Sequence, residues 1–340
     1  LDSMLKGSAV FRLRISMRLP AALIGGVLAL ILQHSAVHAG TGNEAMDWVQ
    51  KMSNAMQEMS YQGRFVYLHN GQLESMSVVH VRDGQEVRER LMSLNGEARE
   101  ILRDKNNLTC VWPSSQQVVV DPVSGANKSP LWIPDDVRRL DKFYQFVVQG
   151  KDRIADHSAV IVAILPRDEF RYGMKVWVAE QHGLLLQSIL FDEKGGLSEQ
   201  IMFTELALLD SDDVPTFNIL PELAEGYALI RSHSGSGNGH EPGDRRWQLS
   251  AIPRGFHIES SFQKLMPDNN NAVQQMVLSD GLASVSVFIE KLVDQSMLGE
   301  SSMGAINAFT TEYQGFSVTA IGEAPPVTVR TIAEAVVFNP

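Results

Sequence analysis

A run of short alternating segments separated by tight-turn dipeptides constrains this chain more than any other feature. "YQGRFVYLHNGQLESMSVVHV" (61–81) shows the pattern. Asn70-Gly71 supplies the positive φ angles of a two-residue hairpin turn, so its flanks are predicted to pair as antiparallel strands. Asp83-Gly84, Asn95-Gly96, Pro113-Ser114, His182-Gly183 and Gly195-Gly196 punctuate the next hundred or so residues in the same way. Strands are predicted at 61–69, 73–82, 85–93, 97–103, 107–112, 116–121, 144–150, 153–165, 171–180, 184–192 and 197–208. Such a meander suits a strongly curved open sheet or partial barrel. In the first hairpin Tyr61, Phe65 and Tyr67 point one way and Val66 and Leu68 the other, because successive strand side chains face opposite sides. A sheet with one solvated face would alternate cleanly between apolar and polar. Both faces are apolar, so something must cover each.

Two helices are predicted to cover one face. From Gly42 to Met59, Ala45, Val49, Met52, Met56 and Met59 form one apolar stripe, and Thr41 with Glu44 fits a capping box at its start. Its methionines suit core packing against a sheet, with an adaptable lipid-contacting surface as the other reading. Within 121–146 the chain is first too rich in Pro and Gly to be strand, then becomes a short helix from Asp135. The second face would carry Phe65, Tyr67, Val79, Trp112, Val118, Trp177 and Leu185, the candidate lining of an apolar cavity. If concave, that surface is filled by side chains, covered by a second domain, or open to an apolar ligand.

Composition shifts between 210 and 244, where acidic, Pro, Ser and Gly runs predict a linker with intermittent structure. Beyond it, 245–340 is predicted to hold roughly five antiparallel strands and a terminal helix over "VTVRTIAEAVVF" (327–338). The fold class expected is α+β, mostly antiparallel β: a large sheet domain over 40–209, the linker, and a smaller domain over 245–340.

The N-terminal stretch reads differently. Arg12, Arg14 and Arg18 precede "LPAALIGGVLALIL" (19–32), and "VHA" (37–39) offers small residues for cleavage near Ala39-Gly40. That is the layout of a secretory signal peptide, and the apolar run is shorter than the roughly 20 residues a spanning helix needs. Residues before Met17 read as upstream translation or an alternative start. Beyond residue 39 the chain has 25 basic and 39 acidic residues, a net charge of −14, which argues against nucleic acid as a partner. The single cysteine, Cys110, can form no internal disulfide and reads as a buried strand residue.

Catalytic patterns are sparse. Ser261 and Lys264 have the spacing of a serine–lysine pair, but on a strand i and i+3 face opposite sides. No nucleophile elbow, phosphate loop, dinucleotide fingerprint or paired-histidine zinc motif occurs in the sequence. His69, His80, His157, His182, His233, His240 and His257 are scattered, and Asp135-Asp136 and Asp212-Asp213 read as helix-start and linker carboxylates. No cofactor or metal is expected, and binding is favoured over catalysis.

Taken in order, "MSYQGRFVYLHNGQLESM" (59–76), "WQLSAIPRGF" (247–256), "LSDGLASVSVFIE" (278–290) and "GEAPPVTVRTIAEAV" (322–336) make the chain resemble the RseB/MucB family of periplasmic regulators. The resemblance implies a half-open barrel similar to LolA and LolB lipoprotein carriers, followed by a smaller domain. It implies a periplasmic protein that binds the periplasmic part of a transmembrane anti-sigma factor, shields it from site-1 proteolysis, and is displaced by lipopolysaccharide or another mislocalised lipid. A lipid or lipoprotein carrier is the alternative, a hydrolase using Ser261 the third, and a homo-oligomer stays among the partners to test.

Overall fold

A computed structural model describes residues 42–84, 86–123, 131, 134, 136–210, 226–231, 241–242, 244, 246–265, 272–292 and 298–339. The expected signal peptide, Thr41, Asp135, Asp212-Asp213, His233 and His240 lie outside them, as does most of the expected linker. Helix α1 (Gly42–Glu58) places Glu44 in its first turn and buries Ala45, Val49, Met52 and Met56 of the predicted stripe, while Met59 lies past its end, half-buried. A carboxylate there complements the positive end of the helix dipole.

After α1 come β1 (Tyr61–His69), β2 (Gln72–Asp83), β3 (Glu86–Ser93), β4 (Glu100–Arg103), β5 (Asn107–Trp112) and β6 (Gln117–Pro122). A 3-10 turn (Val137–Lys142) occupies the place of the predicted short helix. Next come β7 (Tyr144–Ile154), β8 (His157–Pro166), β9 (Gly173–Ala179), β10 (Leu185–Phe191), β11 (Leu197–Leu208) and β12 (Ala228–Arg231). These strands make one 12-stranded sheet in the order β12-β6-β5-β4-β3-β2-β1-β11-β10-β9-β8-β7. All pairings are antiparallel except β12 beside β6, where four residues of the expected linker join the sheet edge. The sheet curls enough that His157 Nε2, at the start of β8, lies 3.2 Å from the Leu206 carbonyl near the end of β11. It does not close, so the architecture is a half-open barrel with β12 and β7 at its free edges.

One hairpin differs from expectation. The sequence places a turn near Gly150, but β7 continues through a bulge there and reverses at Ala155-Asp156, both at positive φ. An aspartate tolerates the left-handed region; alanine does so only because the register on both sides demands it.

The rest of the chain supplies β13 (Glu241–Pro242), β14 (Trp247–Leu249), β15 (His257–Leu265), β16 (Ala272–Ser279), β17 (Ser284–Lys291), β18 (Gly299–Met303), β19 (Ile306–Tyr313), β20 (Phe316–Glu323), α2 (Pro326–Glu334) and β21 (Val336–Phe338). Seven of these strands form a second sheet, β13-β15-β16-β17-β20-β19-β18, instead of roughly five. Helix α2 opens on Pro326, whose fixed φ suits a first turn. Val329, Ile332 and Ala333 pack with Val285, Val287, Val318 and Ala320 of that sheet. The predicted terminal helix is cut short: Val336–Phe338 instead pairs with Trp247–Leu249. Trp247 draws it there, with its ring 4.8 Å from Phe338 and 5.0 Å from Phe316.

Strands β1 and β11 approach closely at the middle of the large sheet. In the β1/β11 pair the register shifts at Arg64/Phe65. A Cβ built on Gly63 would lie 2.5 Å from the Glu205 carbonyl oxygen and 2.9 Å from the Phe203 ring. Gly63→Ala is expected to cost roughly 1–3 kcal/mol through overpacking, read as a lower urea midpoint at an unchanged denaturant slope.

Candidate functional site

Strand register decides which side chains can share a surface. Phe65 pairs with Met76, Met76 with Ser93, Leu91 with Ile101, and Ile101 with Cys110, so all lie on one face, together with Tyr67 and Trp112. Directly paired residues project to the same side of a sheet. This is the inner face, the one α1 covers: the Leu185 amide contacts Met56 Sδ at 3.4 Å. Val79, Val118 and Trp177 project from the opposite, outer face.

The seven candidates therefore do not line one cavity. Phe65 and Leu185 are packed into the main core under α1, with Phe203 stacked obliquely on Phe65 at 5.5 Å. Val79 joins Val81 and Leu102 in a small outer cluster, beside the half-buried Arg88 and Arg90 across the strand pair. Aliphatic arginine stems can cover apolar surface there while the charged heads stay in ion pairs; Arg90 pairs with Glu100 at 2.5 Å. Val118 is buried. Trp177 is buried too, belongs to the same apolar cluster as Phe65 and Leu185 from the other side of the sheet, and donates its indole N–H to Asp152 at 2.9 Å.

Of the seven, Trp112 stands where the inner face opens, while Tyr67 is half-buried against the core with its hydroxyl on Glu199. A groove of about 380 Å³ opens over the ends of β2, β3 and β5, lined by Leu73, Glu74, Ser93, Asn95, Arg99 and Trp112 among others. Leu73 is 59% exposed, so the groove offers an aliphatic and an aromatic surface beside polar groups. Arg99 reaches Glu74 at 3.1 Å, and Glu74 also meets His69 at 3.2 Å. The His69 ring stacks on Tyr67 at 4.5 Å, giving the inner face a polar band next to the groove.

At the rim beyond that band, the large sheet meets the C-terminal one. The Arg171 side chain is fully buried; Nε donates to Asp280 Oδ2, Nη1 to Asp168 Oδ2 and Nη2 to the Arg254 carbonyl, each at 2.5 Å. Its guanidinium lies 4.9 Å from the Phe143 ring, 5.0 Å from Phe256 and 5.7 Å from Tyr144. Tyr144 donates its hydroxyl to Asp280 Oδ2 at 2.9 Å, and burial followed by the Asp280 charge pushes its phenol above the ordinary value. Asp280 Oδ1 accepts the Leu282 and Ala283 amides at 2.9 Å. Gly255, at φ +96°, admits no side chain: a Cβ would lie 2.6 Å from Phe143 and 2.8 Å from Arg171. Neutral links flank the seat. Asn307 donates to the Tyr172 hydroxyl and Thr328 to the Phe170 carbonyl, both at 2.8 Å.

A second carboxylate contact crosses the same junction. Tyr67 donates its hydroxyl to Glu199 Oε2 at 2.8 Å. Glu323, at the end of β20, stands against Glu199, and its carboxyl is pushed up to about 8 by burial, by the Glu199 charge and by a hydrogen bond between the two. By accessible surface the residue as a whole is exposed, so solvent screening tempers the effect strongly. A raised carboxyl means that the contact is intact below the ordinary carboxylate range and weakens as pH climbs through about 8. Glu323→Gln keeps a donor toward Glu199 and removes the charge. Between pH 6 and 9 the melting temperature should therefore fall less in this variant than in the wild type.

None of these clusters assembles a nucleophile with a base. Ser261 accepts a hydrogen bond from Gln274 at 2.8 Å. Among the described residues no group of three or more His, Cys, Asp or Glu side chains could hold a metal ion. The sequence reading missed three juxtapositions: Arg171 with Asp280, Glu199 with Glu323, and His157 with His182, whose rings meet edge-on at 5.1 Å. Burial and His157 lower the His182 pKa. No spacing rule links positions so far apart; Asp280-Gly281 read simply as a hairpin turn.

Comparison with known proteins accounts for nearly all of the described chain. A model of the MucB/RseB N-terminal domain matches residues 44–223, and one of the MucB/RseB C-terminal domain matches 241–337. The sigma factor AlgU regulatory protein MucB of Pseudomonas aeruginosa is 31% identical over 90% of this chain and 95% of its own length. The sigma-E factor regulatory protein RseB of Escherichia coli K12 is 26% identical over 86% of this chain and 90% of its own. The solved structure of the P. aeruginosa MucA/MucB complex superposes with a TM-score of 0.66 at 26% identity, covering 87% of this chain and 99% of that one. With both domain models matched and a relative above 30% identity along its length, the chain belongs to the MucB/RseB family.

Proposed function

We propose that this chain is a periplasmic regulator that binds the periplasmic part of a transmembrane anti-sigma factor and shields it from site-1 proteolysis. A lipid, lipopolysaccharide or another mislocalised acylated molecule, then displaces it. The observation that carries the reading is likeness along almost the whole chain to a MucB solved in complex with MucA(peri), TM-score 0.64. Residues 40–209 would form the lipid-sensing part, 210–244 the connection and 245–340 the smaller domain. Displacement is linkage: a ligand that prefers the unbound regulator lowers its affinity for the partner by the same coupling free energy.

The groove over β2, β3 and β5 is the place we assign to the lipid. Leu73 and Trp112 give acyl chains an apolar surface, and Arg99 stands where an anionic head would lie. The packed core under α1 leaves Phe65 and Leu185 no room for that role. A carrier would use the same groove, but it would hand an acylated protein on stoichiometrically and would not need the second sheet.

Trp112→Ala tests the assignment. Losing one aromatic contact of about 1.5 kcal/mol corresponds to roughly tenfold in affinity. The lipopolysaccharide concentration for half-release of the anti-sigma segment is therefore expected to rise about tenfold, with lipid-free partner binding unchanged. Unchanged lipid release in this variant counts against the groove, and no binding of the anti-sigma segment by the wild type counts against the regulator.

A further inference from the structure

The two large sheets touch through loops, turns and strand ends, and among the described residues no strand of one pairs with a strand of the other. Residues 168–172, Arg254-Gly255, Asp280–Leu282, Asn307 and the first turn of α2 make one part of the contact, and Glu199 with Glu323 another. Within it one side chain has a different character. Arg171 is a fully buried cation, and its three acceptors come from its own loop, from the turn after β16 and from the backbone ahead of β15. The neighbouring Asn307–Tyr172 and Thr328–Phe170 links are neutral hydrogen bonds, and the Glu199–Glu323 contact joins two acids.

We propose that the Arg171 seat is an interdomain latch: with the guanidinium seated the two sheets move as one body, and with it withdrawn the C-terminal sheet leaves the rim. The chemistry makes the latch two-state. A guanidinium drawn partly out of the seat loses its acceptors while Phe143, Tyr144 and Phe256 still keep water from it, so intermediate positions are disfavoured. Opening does not undo the turn that bears the acceptor, because Asp280 Oδ1 keeps the Leu282 and Ala283 amides. A ligand that prefers one arrangement shifts the latch by its difference in affinity between the two. Only that last step rests on the regulatory reading above.

Paired spin labels test the latch without partner or lipid, so the result stands whether or not the regulatory reading does. Labels go at the exposed positions Gln62 and Glu312 (Q62C, E312C) in a Cys110→Ser background. The parent should give one narrow distance distribution, and Arg171→Gln a broad or longer one with far-UV dichroism unchanged. A narrow parent-like distribution in folded Arg171→Gln overturns the latch, as does a parent that is already broad. If Arg171→Gln does not fold, Asp168→Asn is read instead, since it alters only the acceptor with an exposed edge. A second, open population supports the latch, and a distribution identical to the parent overturns it.

Discussion

A single buried cation sets how this molecule is put together. Each sheet has its own apolar core, one under α1 and one under α2, and Leu282 from the turn after β16 packs against the first. Among the contacts that join them, the charged one is a guanidinium withdrawn from water and satisfied by two carboxylates and a carbonyl. Such a group tolerates no half measures. Removing one partner of a buried pair typically costs about 3–5 kcal/mol, because the other is left charged and unsolvated. The surrounding sequence shows the same demand: Phe143 and Arg171 occupy the space a side chain at Gly255 would need, and Tyr144 adds a fourth donor to Asp280.

The large sheet solves a different problem, that of two apolar faces. On the inside, α1 lays methionines against Phe65, Phe203 and the valines of β8 and β9, so half of the barrel is filled by the chain itself. On the outside, paired arginines beside a thin aliphatic cluster take the place of a second layer. Toward the ends of β2, β3 and β5 the inner face opens into the groove, and beside it turns polar through Tyr67, His69, Glu74 and Arg99. Packing, polar band and groove succeed one another across a single continuous surface.

Local features of this fold were legible in the sequence because local chemistry determines them. Asn70-Gly71 turns where its φ angles allow, and the stripe Ala45–Val49–Met52–Met56 becomes the buried side of α1. Face assignment was not legible. Side-chain parity must be carried across every hairpin, and register shifts at Arg64/Phe65, Leu185/Gln187 and Val148/Gly150 each flip it. Hence residues that read as one apolar surface, such as Tyr67 and Trp177, stand on opposite sides of the sheet. The Arg171–Asp280 contact was invisible for a simpler reason: two charged residues in separate loops carry no periodic signal, and only the folded backbone brings them together.

The pairing of Ala228–Arg231 with β6 limits how far the smaller sheet can stray. Because the connection is sewn to the barrel edge as far as Arg231 and resumes as strand at Glu241, only residues 232–240 separate the two anchor points. Ten Cα-to-Cα steps span at most roughly 35 Å even when fully drawn out. That span bounds how far β13 can lie from β12, so covalent connectivity alone keeps the smaller sheet at high local concentration beside the barrel.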